Sequence, residues 1–167
     1  MSNRCRPLAM LTTLLLLAGV APGMAQTVQQ PDTVGAAAAP YTPTMGDLMN
    51  AFVQPRHAKL GLAGKAGNWA LAAYAVVEIR QTFSGIVKAQ PRFRGYPVGE
   101  LVDAALAEPL RAVEAAIKQR DPRKFAAAYD QLSRGCNACH ASLDHAFVVI
   151  KAPGASAFPN QDFTPGQ

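Results

Sequence analysis

Four stretches of the chain carry apolar residues in steps of three and four, and short polar or Pro/Gly-rich breaks separate them. That is the periodicity of amphipathic helices, each with one face turned to a core. The first begins at Thr44. Thr44-Met-Gly-Asp47 has the form of a capping box, and Met45, Leu48, Met49 and Phe52 follow at helical spacing. Pro55 lacks a backbone donor and crowds the preceding turn, so this helix is expected to kink or stop near Gln54 before a helical pattern resumes. Asn68 is placed to cap a second helix in which Trp69, Ala72, Val76, Ile79, Phe83 and Ile86 share a face. Pro91 to Pro97 reads as a loop, and a third helix follows with Leu101, Val102, Ala105, Leu110, Val113 and Ile117, kinked at Pro109. Asp121-Pro122 supplies an N-cap and a first-turn proline for a fourth helix, whose apolar series is Phe125, Tyr129, Leu132, Cys136, Cys139, Leu143.

No stretch shows a convincing strand alternation. Amphipathic helices with short connections predict an all-α protein, an antiparallel four-helix bundle over residues 44–145. The segment 146–167, with an apolar run at its start and Phe158 and Phe163 further on, is expected to be an extended tail packed on the bundle.

The chain before Thr44 reads differently. Arg4 and Arg6 precede an apolar stretch from Leu8 to Val20 that ends in small residues at Gly23 and Ala25, the form of an export signal spanning 1–25. The stretch is short for a membrane span and has no basic stop-transfer cluster behind it, so cleavage is favoured over an uncleaved N-terminal anchor. Residues 26–43 mix Pro, Ala, Gln and Thr without periodicity, as a flexible lead-in does. The leader takes two arginines with it and lowers the formal charge from +5 to +3. The remaining Lys and Arg are scattered, with no stripe of interleaved aromatics, which argues against a nucleic-acid binder. Arg56, Lys59, Lys65, Arg134 and Lys151 would make a docking face only if the fold gathered them.

Cys5 leaves with the leader, so Cys136 and Cys139 are the only cysteines of the mature chain, which excludes a disulfide scaffold. Cys136-Asn-Ala-Cys139-His140 is the attachment pattern of a c-type haem. Two thiols one helical turn apart can each add to a porphyrin vinyl group, and the histidine that follows is held beneath the iron as proximal ligand. A thioredoxin-like pair would open a helix, whereas these cysteines lie near the end of one. A zinc site would need Cys136, Cys139, His140 and His145 to converge from a single segment, which a helix opposes.

With this motif on its fourth helix and methionines at the start of its first, the chain resembles the cytochrome c prime superfamily, including the low-spin, methionine-ligated relatives, over residues 44–145. The resemblance implies one covalent haem c inside a four-helix bundle. It departs at Ala141-Ser-Leu-Asp144, where members often carry a basic residue, and at Pro55 and the tail; propionate pairing and proximal tuning are expected to differ there. In an up-down-up-down bundle His140 lies near the opening turns of helix one, which makes Met49 the candidate distal ligand, with Met45 and His57 as alternatives. Met49 can equally be core filling, as methionine on a helix face usually is. On a straight helix His57 lies about 12 Å beyond Met49, too deep unless Pro55 redirects the chain, and is otherwise a partly exposed histidine. If none of the three binds, the iron is five-coordinate beneath an apolar wall of Leu48, Met49 and Phe52.

The functional expectation is one-electron transfer in the periplasm with an unidentified redox protein as partner. The alternative, which the resemblance to cytochrome c prime implies, is binding of nitric oxide or another small gas at a vacant sixth site. A haem peroxidase-like enzyme would want a distal acid-base group, for which only His57 is a candidate. An apolar face on helix one or two could support a homodimer.

Overall fold

The computed structural model describes residues 40–165. The expected signal and most of the lead-in lie outside the described residues. The fold is all-helical apart from one two-stranded ribbon. Its first helix, α1, runs without a break through an α-helical segment Met45–Leu48, a π turn Met49–Val53 and a second α-helical segment Gln54–Lys65. It is followed by α2 (Trp69–Ala89), a ribbon of β1 (Arg92–Phe93) and β2 (Tyr96–Pro97), α3 (Val98–Gln119) and α4 (Pro122–Ser142).

The helix starts form where the sequence places them. The Thr44 hydroxyl accepts from the Asp47 amide at 3.2 Å and the Asp47 carboxylate accepts from the Thr44 amide at 2.8 Å, closing the capping box. The Tyr41 hydroxyl also donates to that carboxylate, and these bonds together hold the Asp47 carboxyl below its ordinary range. Asn68 caps α2 through the Leu71 amide, and Asp121 caps α4 through the amides of Arg123 and Lys124.

Pro55 does not end the first helix. It sits at the start of the resumed α-helical segment, directly after a turn in which the Gln54 amide reaches back to the Met49 carbonyl, one residue further than in an α-helix. A proline ring strikes the carbonyl four residues before it in a regular helix, and a wider turn relieves that clash. The extra residue also changes which side chains face inward. Phe52, expected on the inner face, is 45 % exposed and lies under the Arg56 guanidinium. Leu48 is buried in the core.

The loop expected between Pro91 and Pro97 is a hairpin, with Phe93 paired to Tyr96. Arg94 and Gly95 both take positive φ (51° and 87°), the backbone of a type I′ turn, which matches the twist of the flanking strands. The signal was Arg-Gly between two aromatics, masked by the flanking prolines.

Helices α1 and α2, α2 and α3, and α3 and α4 pack in sequence, and α1 closes on α4, the neighbour pattern of a helical bundle. The core is built from Val76, Ile79 and Phe83 of α2, Leu110 and Val113 of α3, and Phe125 and Leu132 of α4. Two glycines let α1 approach α4: a Cβ on Gly64 would strike the Phe125 ring, and one on Gly61 would lie 2.6 Å from the Tyr129 ring. Gly135 does the same for α4 against α3, where a Cβ would meet the Ala105 carbonyl.

Beyond α4 the chain runs irregularly to residue 165. Phe163 packs against the core, the Phe158 and Phe163 rings lie 6.2 Å apart, Lys59 sits over Phe158, and Asn68 donates to the Thr164 carbonyl. No helix among the described residues is long and apolar enough to cross a membrane.

Candidate haem site

Helix α4 ends in a Schellman motif that turns the chain back on itself. Asp144 adopts left-handed φ (60°), the His145 amide bonds the His140 carbonyl at 2.8 Å, and the Asp144 amide reaches the Ala141 carbonyl. Aspartate tolerates this backbone better than most residues, and Arg94 of the hairpin bonds its carboxylate at 3.1 Å. The reversal lays residues 145–150 alongside the last turn of α4, where the Val148 carbonyl meets His140 Nδ1 at 2.8 Å. A carbonyl only accepts, so Nδ1 is the donor in this bond, and in the neutral ring the lone pair lies on Nε2.

These elements, with α1, α2, α3 and the hairpin, line a predominantly apolar cavity of about 450 Å³ that is partly open to solvent. That is within the size range of cofactor sites. All the candidate residues line it: Cys136, Cys139 and His140 from α4, and Met45, Met49 and His57 from α1. His145, between the rings of Phe93 and Phe147, lines it too, with its Nδ1 bonded to the Leu143 carbonyl at 2.6 Å.

The π turn explains how one helix contributes Met45, Met49, Val53 and His57 to a single wall. Twelve residues of straight α-helix would carry His57 about 120° around the axis from Met45. One extra residue in the wide turn takes back most of a ~100° step and restores the alignment.

His57 is not the partly exposed side chain expected from its basic neighbours. It is 6 % exposed, and both ring nitrogens are engaged: Nδ1 with the Tyr129 hydroxyl at 2.9 Å and Nε2 with the Ser133 hydroxyl at 3.1 Å. The Tyr129 hydroxyl also reaches the His57 carbonyl at 2.8 Å, and the Ser133 hydroxyl reaches the Tyr129 carbonyl at 3.0 Å. The neutral ring, the phenol and the Ser133 hydroxyl hold three protons for these four contacts, so in either tautomer one ring nitrogen donates and the hydroxyl facing the other nitrogen shares its single proton between that nitrogen and a backbone carbonyl. Burial pushes its pKa down to about 4 and raises that of the Tyr129 phenol, so both stay neutral. Tyr129 was read only as a member of the apolar series of α4, and Ser133, one turn on, carried no signal of its own in the sequence.

Cys136 and Cys139 are free thiols, both half-buried on the cavity wall. Burial, with the neighbouring Cys139, pushes Cys136 up to about 11, and burial raises Cys139. Such thiols are poor thiolate nucleophiles at neutral pH, unlike a dithiol redox pair. Among the described residues no group of three His, Cys, Asp or Glu side chains is arranged to hold a bare metal ion, so the four ligands of the zinc alternative do not converge. The residues present fit a c-type haem instead: two thiols one turn apart on an apolar cavity wall, a histidine with Nε2 free and its other nitrogen supported, and two thioethers from a second helix.

No protein-family model, curated protein or solved structure matches the chain.

Proposed function

We propose that this chain is an exported monohaem c-type cytochrome that carries single electrons in the periplasm. Cys136 and Cys139 hold haem c covalently through thioether bonds, and His140 is the proximal iron ligand through Nε2. The observation that carries the reading is the coincidence of the C-x-x-C-H motif with the 450 Å³ apolar cavity and with a His140 whose Nδ1 is already committed to Val148. The bound haem supplies a one-electron iron couple in a rigid, largely apolar surround. Met49 is the distal ligand, with Met45 next; both line the cavity, while His57 is withdrawn into its bonds with Tyr129 and Ser133. The same withdrawal leaves a peroxidase-like mechanism without its acid-base group. The antiparallel four-helix haem bundle, the likeness to the cytochrome c prime superfamily, the export signal and a periplasmic redox protein as partner belong to this proposal.

The test is an optical spectrum of protein exported with haem-attachment machinery, after a denaturing gel stained for covalent haem. A low-spin spectrum with a methionine-to-iron band that disappears in Met49→Ala and survives in His57→Gln is expected. A chain without covalent haem overturns the reading. A high-spin iron that takes up carbon monoxide or nitric oxide without displacing a ligand replaces electron transfer with gas binding.

A further inference from the structure

Asn137 is the first of the two residues between the cysteines, a position the haem motif leaves open. Here its amide is committed on both sides to one residue of the returning chain. Nδ2 donates to the Ile150 carbonyl at 2.8 Å and Oδ1 accepts from the Ile150 amide at 2.7 Å. A side-chain amide that satisfies both backbone groups of one residue acts as a short ladder rung and fixes that residue in position and orientation. Two residues earlier on the same strap, Val148 offers its carbonyl to His140 Nδ1 at 2.8 Å, and its own amide is tied to the His145 carbonyl at 2.8 Å. The strap is therefore pinned at the Schellman turn and at Asn137, and the carbonyl that faces His140 lies between the two pins. Phe147 and Val149 point largely to solvent, at 80 % and 70 % exposure. Packing of these two side chains contributes little to holding Val148; Val148 and Ile150 line the cavity, and the hydrogen bonds supply the directional hold on the backbone.

We propose that Asn137 is a positioning residue for the iron centre: by clamping Ile150 it holds the Val148 carbonyl on His140 Nδ1 and so sets the orientation and donor strength of the axial imidazole. This rests on the haem reading above. A histidine that donates its second ring N–H to a carbonyl is a stronger ligand through the other nitrogen, and a stronger donor favours the oxidised metal. The clamp therefore keeps the reduction potential lower than a freely solvated proximal histidine would.

The experiment compares the full chain, Asn137→Ala and Asn137→Asp as haem-loaded proteins. Asn137→Asp keeps the acceptor for the Ile150 amide and loses the donor. The midpoint potential is expected to rise in Asn137→Ala and to rise less in Asn137→Asp. The His140 ring N–H, followed by NMR in the diamagnetic reduced carbon monoxide complex, is expected to exchange with solvent at least about tenfold faster in Asn137→Ala. Unchanged potential and unchanged ring N–H exchange in a haem-loaded Asn137→Ala overturn the proposal. If that variant fails to mature, Asn137→Asp decides: a higher potential and faster His140 ring N–H exchange than in the unaltered protein support the clamp, and values unchanged from it overturn it. Absence of haem from the unaltered chain, seen on the stained gel beforehand, removes the underlying reading, whereas the outcomes above arise only when haem is present.

Discussion

At the scale of single residues, the network around His57 has a measurable consequence in pH. The folded ring has a pKa near 4, while the unfolded chain titrates at its ordinary 6.5. Above 6.5 both states are neutral and the network contributes in full. As pH falls from 6.5 towards 4 the unfolded state takes up the proton first, so stability is lost over that window, and below about 4 this residue causes no further loss. The gap corresponds to roughly 3 kcal/mol. Urea unfolding at a series of pH values is expected to show this decline in the parent and a flatter profile in His57→Gln, whose amide can bond Tyr129 and Ser133 without titrating. Parallel profiles for the two proteins would mean that the buried ring does not govern this window. Glycines give a second contrast at this scale. Gly64→Ala forces a methyl into the Phe125 ring and is expected to cost about 1–3 kcal/mol by overpacking. Gly85→Ala, mid-helix in α2 with open space around it, is expected to stabilise by about 0.5–1 kcal/mol by restricting the unfolded chain. Thermal denaturation of the two variants should shift in opposite directions.

At the scale of elements, the π turn is the feature that selects which side chains of α1 reach the cavity. Deleting Ala51, an exposed residue inside that turn, would remove the extra residue and leave 11 regular α-helical steps between Met45 and His57, about 20° past three full turns, so the methionines and His57 would stay on one wall. The deletion variant is expected to retain covalent haem, because α4 supplies the attachment residues, and to keep the methionine-to-iron band; loss of the band would show that the turn does more than absorb one residue. Helix number, helix starts and the inward faces of α2 and α4 were legible in the sequence, because period and caps are local: Thr44, Asn68 and Asp121 each cap a neighbour within three residues. The π turn was only half legible. Pro55 announced a disturbance, but a proline leaves open whether a helix stops, bends or widens, and packing against the rest of the fold decides. That choice put Phe52 outside and His57 inside. The Asn137–Ile150 and His140–Val148 bonds were illegible for a different reason, since they join residues 13 and 8 positions apart through backbone groups that every residue type carries.

At the scale of the whole molecule, the cavity makes stability depend on its occupant. A 450 Å³ apolar pocket between α1, α3, α4 and the strap, partly open to solvent, leaves the apolar side chains that line it facing water on one side, without the packing contacts that an occupant would supply. A ligand that fills it stabilises only the folded chain, and covalent attachment makes that stabilisation independent of ligand concentration. The double variant Cys136→Ser, Cys139→Ser, purified without haem, is therefore expected to melt at least about 10 °C below the haem-loaded parent, a difference of a few kcal/mol for a domain of this size. Its losses should not be uniform. The end of the bundle where Phe125 and Tyr129 of α4 meet Gly64 and Gly61 of α1 contributes no residue to the cavity lining and should keep slow amide exchange. The opening turns of α1, the hairpin and residues 145–150 border the pocket and should exchange faster in the variant than in the parent. Uniform loss of protection would mean that the bundle folds as one unit around its cofactor. A pattern confined to the cavity walls would mean instead that α1 and α4 form a preassembled base, on which the C-x-x-C-H segment is presented for attachment before the strap closes over His140.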